Sequence, residues 1–129
     1  MSEEELDYHL GGVHALDDEF RIILARALSN LPKEIIEWAT DKLFFISDTE
    51  ECHAFYLSKK DWKHKRGFIF LSNNLKNENL GTQVFSIAHE IAHANLDHRS
   101  VMFNPNMTVD DMQRQEKEAN RLARKWLNI

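Results

Sequence analysis

The chain lacks the marks of a disulfide-stapled, linker-joined or membrane-spanning protein. It has a single cysteine, Cys52, so no intrachain disulfide can form, and a cysteine-based metal site is equally out of reach. Two prolines and four glycines leave no composition for a long flexible linker, and there is no internal repeat or low-complexity tract. No apolar run approaches the ~20 residues that a membrane-spanning helix needs. The opening Met1-Ser2-Glu3-Glu4-Glu5 is acidic where an export signal is basic and then apolar, so a cytoplasmic location is expected. Basic excess is missing too. The net charge of −5 argues against wholesale binding to phosphate backbones, and neither nucleic acid nor membrane is an expected partner.

What is present is an ordinary globular composition, 43% apolar and 29% charged over 129 residues. This predicts one domain over residues 1–129, with residues 1–15, through Gly11-Gly12, as a loosely held arm. Asp17 or Asp18 can cap a helix with Phe20, Ile23, Leu24, Ala27, Leu28 and Leu31 at helical spacing. Pro32 suits the first turn of a second, shorter helix carrying Ile35, Ile36 and Ala39. Three short aromatic and apolar runs follow, at residues 43–46, 52–57 and 68–71, and read as strands. Helical patterning returns over about residues 80–96 and 109–127. The expected fold is α+β: about four helices packed with a small, mainly antiparallel three-stranded sheet.

The helix over residues 80–96 carries His89-Glu90-Ile91-Ala92-His93. Two histidines four residues apart stand one above the other on a helix, about 40° apart around its axis, so both can bind one metal ion without distorting the backbone. Glu90 points to the side of the same face, within reach of a water at the metal without being a ligand. The apolar positions Val84, Phe85, Ile87, Ala88, Ile91, Ala92, Ala94 and Leu96 cover an arc of about 200°. A helix so widely apolar is largely buried, and the polar wedge of Ser86, His89, Glu90, His93 and Asp97 needs partners.

A catalytic zinc site takes three protein ligands and leaves a fourth position open. The last helix offers two carboxylates. Glu116 lies within the apolar arc of Val109, Met112, Ala119, Leu122, Ala123, Trp126 and Leu127, whereas Glu118 falls roughly 160° away, beside Arg121 and Lys125. A carboxylate on the core side is expensive unless paired or metal-bound, so Glu116 is the better third ligand. Asn120, one turn on, points the same way and is a candidate to orient that carboxylate. His98 does not fit the ligand geometry: it falls on the apolar side of the helix if the helix continues. Arg99, not His98, stands six residues after His93, where another zinc class places its third ligand. Asp97 is nearer the right face and is a minor contender.

The run Phe85-Ser86-Ile87-Ala88-His89-Glu90-Ile91-Ala92-His93-Ala94, with Glu116-Lys117-Glu118-Ala119-Asn120-Arg121-Leu122-Ala123 after it, resembles the ImmA/IrrE family of zinc metallopeptidases. The strand-like Phe68-Ile69-Phe70-Leu71-Ser72-Asn73 just before the helix is also similar. The resemblance covers roughly residues 66–127. It implies a gluzincin-like, minimal zincin fold, with Zn2+ on His89, His93 and Glu116 and Glu90 as general base. It further implies cleavage of a regulatory protein such as a transcriptional repressor. Many relatives carry a DNA-binding helix-turn-helix domain for which these residues leave no room, so a repressor substrate is expected to be a separate protein.

The remaining features carry less. Lys59, Lys60, Lys63, His64, Lys65 and Arg66 surround Trp62 between two strands and read first as a solvated hairpin loop, with a docking patch for an acidic substrate or nucleic acid as the alternative. His53 and Tyr56 are candidates to stabilise the oxyanion of peptide hydrolysis, although strand alternation sends them to opposite faces and leaves room for one. Cys52 reads as a small buried apolar residue rather than a nucleophile. The sequence therefore predicts a cytoplasmic zinc endopeptidase. Its rival is a regulatory or partner-binding module that keeps the metal site with little catalysis, and Glu90, which a pure binder does not need, favours the enzyme.

Overall fold

The computed structural model describes residues 4–5, 16–49, 54–59, 66–99 and 104–129. Helix α1 (Asp18–Ser29) starts where Asp17 accepts a hydrogen bond from the Phe20 amide at 2.9 Å. Phe20, Ile23, Leu24, Ala27 and Leu28 are all buried, as their spacing predicts. Pro32 ends up one position earlier than expected, as the cap of α2 (Lys33–Lys42). Three strands follow, β1 (Leu43–Thr49), β2 (Ala54–Leu57) and β3 (Gly67–Ser72). A 3-10 turn (Asn73–Asn77) leads to α3 (Leu80–Asn95), and α4 (Val109–Leu127) closes the order. The expected α+β layout is present. The expected arm, residues 1–15, lies almost wholly outside the described residues, as do Cys52 and His53.

The sheet is mixed rather than mainly antiparallel. Its order is β1-β3-β2, with β3 antiparallel to β2 and parallel to β1. Consecutive strands β1 and β2 are not neighbours, because β3 inserts between them, and no hydrophobic pattern encodes that insertion. Along β1 and β3 the side chains alternate. Leu43, Phe45, Ile69 and Leu71 are buried on one face, while Phe44, Ile46, Phe68 and Phe70 are half-buried on the other.

Helix α3 is the centre of the assembly, packed against α1, α4 and the β2 side of the sheet. Val84, Ile87, Ala88, Ile91, Ala92 and Ala94 are buried there, and the alanines keep its neighbours close. Its start is pinned twice. Asn79 caps Thr82 at 2.8 Å, and the buried Gln83 amide donates to the Leu75 carbonyl at 3.1 Å. Helix α4 begins with a capping box in which Thr108 and Asp111 satisfy each other's backbone amides. Two expected core positions are exposed instead, Leu96 just past the end of α3 and Val109 at the start of α4. Helix ends leave side chains beyond the last packed turn, where an apolar residue has nothing to cover it.

Candidate metal centre

Helix geometry brings the two imidazoles together. His89 Nε2 and His93 Nε2 lie 3.1 Å apart, with the rings perpendicular and their centroids 4.6 Å apart. Phe85, one turn before, stacks on His89. From α4, Glu116 places Oε2 3.0 Å from His89 Nε2 and Oε1 3.0 Å from His93 Nε2. The three groups form a His-His-Glu cluster whose donor atoms all lie within 4.8 Å of one another.

Two observations say that a cation fits between them. Donors ~2.0–2.2 Å from a four-coordinate ion sit ~3.3 Å from each other, close to the 3.0–3.1 Å seen here. A carboxylate and two imidazoles are also donor types that zinc takes at sites with an open position, and here they converge from two helices. Burial works in the same direction. Desolvation, then the charge of His89, pushes His93 down to about 4, so its imidazole is neutral, the form that binds metal. Glu116 itself is not a core residue: its side chain is 58% exposed. Glu116 is thus less buried than its place on the apolar arc of the helix implies. Glu116 stands at the rim of the α4 stripe, near enough for its head to reach the histidines.

Glu90 is the next residue on α3 but is not among the three converging groups. Burial, and then the negative charge of Glu116, push its carboxyl up to about 8. A buried carboxyl beside a second carboxylate again calls for a positive charge at this place.

The chain beyond α3 holds a feature that sequence reasoning set aside. The helix stops at Asn95, and Asp97 takes the left-handed conformation, φ 59. The Asp97 amide donates to the Ala94 carbonyl and the His98 amide to the His93 carbonyl, each at 3.0 Å. This is a Schellman turn, and it folds His98 back over His93. His98 is buried, with its Nδ1 2.9 Å from His93 Nδ1 and its Nε2 3.5 Å from Glu118 Oε2. Burial is the first cause that lowers the pKa of His98, partly offset by Glu118. Glu118, set aside as a solvent-facing residue, is thus drawn to a buried imidazole, and it also binds Arg114 at 3.1 Å. Gln115 fixes the turn to α4 by accepting from the Arg99 amide and donating to the Arg99 carbonyl, at 2.9 and 3.0 Å.

Residues 48–127, well over half of the chain, match the family model described as the IrrE N-terminal-like domain, Peptidase_M78. The chain belongs to this family. No curated protein and no solved structure matches it. The domain is therefore of the metallopeptidase type, with a His-His-Glu group able to hold a metal ion.

Other candidates in this metallopeptidase domain are placed less tellingly. Asn120 is half-buried and, among the described residues, has no hydrogen bond to Glu116; it lines a surface groove with Lys117, Arg121 and Arg124. Tyr56 is half-buried against the core, its ring against Gly67, where an added Cβ would come within 3.0 Å of Tyr56 Cε1. Asp97 belongs to the turn, not the cluster. His53 and most of the basic stretch, residues 60–65, lie outside the described residues. The signal for His98 was in the sequence only as a helix end at Asp97, a residue type that tolerates left-handed backbone.

Proposed function

We propose that this domain is a zinc-dependent endopeptidase with His89, His93 and Glu116 as ligands and Glu90 as general base. One observation carries the reading: three ligands of the kinds typical of a catalytic zinc site, two histidines and a glutamate, converge from two helices, with Glu90 beside them but outside the set. A bound zinc ion supplies Lewis acidity toward water and a peptide carbonyl. Glu90 takes a proton from the attacking water as its oxygen adds to the carbonyl carbon. It returns that proton to the amide nitrogen as the C–N bond breaks. Support for how a substrate is held comes from β2. It is an edge strand lying beside α3, and an extended peptide can add to such an edge through backbone hydrogen bonds.

The substrate we favour is a specific regulatory protein, a separately encoded transcriptional repressor being the leading candidate, and the setting we favour is the cytoplasm. Replacing Glu90 tests the mechanism. Glu90→Gln is expected to keep one zinc per chain and to lose hydrolysis by at least about 100-fold, since an amide cannot accept the proton. Metal content and cleavage of candidate repressors, with casein as a generic control, are measured together. Undiminished cleavage by Glu90→Gln removes Glu90 from the mechanism, and rapid casein digestion refutes restricted specificity.

A further inference from the structure

The back of the metal cluster is organised by donors and acceptors that no ligand role uses. Glu118 Oε2 stands 3.5 Å from His98 Nε2, a buried nitrogen with no full hydrogen bond. The distance is long, yet the group that this nitrogen faces is an acceptor. A neutral imidazole carries one proton, and beside a carboxylate that proton belongs on Nε2. His98 Nδ1 is then a lone pair. At 2.9 Å from it, His93 Nδ1 must donate, so the proton of His93 sits on Nδ1. In this arrangement His93 Nε2 is a lone pair suited to a metal ion lying between it, His89 Nε2 and Glu116 Oε1; without one, Glu116 draws a proton to that nitrogen instead.

We infer that His98 and Glu118 are positioning residues that hold the His93 ring turned with Nε2 toward the metal and accept its Nδ1–H when Nε2 becomes a ligand. The inference rests on the metal-centre reading above and extends it to the next layer of residues. Carboxylates face both ends of this chain, Glu118 Oε2 at 3.5 Å from His98 Nε2 and Glu116 Oε1 at 3.0 Å from His93 Nε2, and a metal on His93 Nε2 decides its direction toward Glu118. The backbone supports it as well. A Schellman turn brings its last residue back against the third residue from the helix end, usually as an apolar contact, and here that contact is His98 on His93. His89 has no such arrangement: its Nδ1 is buried without a hydrogen-bond partner among the described residues. The two ligands therefore differ, with one held from behind by its hydrogen bond to His98 and the other by stacking on Phe85.

Three variants and two readouts test this. Zinc affinity is measured by competition with a chromophoric chelator, and imidazole tautomers by 15N NMR on the full-length protein with and without zinc. His98→Leu fills the same space without an acceptor and is expected to weaken zinc binding by about 10–100-fold, the usual effect of losing such a partner. His98→Asn, whose Oδ1 can stand where Nδ1 stood, is expected to restore affinity to within roughly threefold of wild type. Glu118→Ala sits at the surface, so folding is preserved even if His98→Leu unfolds, and it is expected to cost about tenfold. In the zinc-loaded wild type, His98 is expected as the Nε2–H tautomer and His93 as Nδ1–H. Wild-type affinity in His98→Leu or Glu118→Ala, or an Nδ1–H tautomer at His98 in the zinc-loaded protein, overturns the inference. A wild-type protein that binds no zinc overturns the metal-centre reading, whereas zinc binding at unchanged strength in the His98 and Glu118 variants overturns only the present inference.

Discussion

Glu116 and Glu118 stand two residues apart on α4, on either side of the buried stripe of Ala119, Ala123 and Trp126. About 100° of rotation per residue sends one toward the histidines of α3 and the other toward the turn that follows α3. Their roles should separate in metal binding. Glu116→Ala is expected to weaken zinc at least ten times more than Glu118→Ala, because it removes a ligand rather than a support. Equal losses in a metal titration would refute that division. Glu90 gives a test that needs no metal. Its folded pKa, about 8, is above the ordinary 4.5, so its contribution to stability is complete below about pH 4.5 and is lost as pH rises through 8. Glutamine does not titrate. In chelator-treated protein the Tm of Glu90→Gln minus that of wild type should therefore grow between pH 5 and pH 8, by on the order of a few degrees. His93, held near 4, titrates alike in both proteins and cancels. A difference that stays flat across that range would mean that Glu90 is not desolvated.

Among the elements, the end of α3 matters most for the site. Asp97 occupies left-handed backbone, which aspartate tolerates, glycine favours and a β-branched residue resists by about 1–2 kcal/mol. Asp97→Gly should keep the turn, the stability and the zinc affinity. Asp97→Val should lower stability by about 1–2 kcal/mol and weaken zinc binding as well, because the turn that folds His98 onto His93 is strained. Denaturant unfolding and zinc competition on the two variants check this. Unchanged zinc affinity in the Asp97→Val protein would show that the turn does not control the ligand. The start of α4 plays the complementary part: its capping box sets where the helix begins, and so which residue faces His89.

For the molecule as a whole, the site joins two helices that are separate in sequence, with Glu116 on α4 closing onto α3 from 23 residues away. A ligand set shared between elements couples metal binding to folding, because the unfolded chain has no such set. At a free zinc concentration 1,000 times its dissociation constant, the folded state gains about 4 kcal/mol, a rise in Tm of roughly 10 °C for a chain of this size. Differential scanning fluorimetry with and without a chelator measures it. Glu116→Ala should abolish most of that rise, and a wild-type Tm indifferent to zinc would argue against a site that bridges α3 and α4. Among the described residues no helix is long and apolar enough to cross a membrane.

The amino-acid sequence by itself determined the local units. The caps at Asp17 and Thr108, the apolar spacing of α1, α3 and α4, and the His89–His93 pair all follow from interactions within one or two helical turns. Glu116 was legible because helix periodicity put it on the same stripe as Ala119 and Ala123, although its real exposure was not. Only the tertiary structure decided the insertion of β3 between β1 and β2, since strand order depends on contacts between segments distant in the chain. It alone decided the fate of His98 and Glu118. A wheel drawn past Asn95 puts His98 on the apolar side, but the wheel stops applying once one residue turns left-handed, and a single φ of 59 at Asp97 converts an apparent core position into the support of a metal ligand.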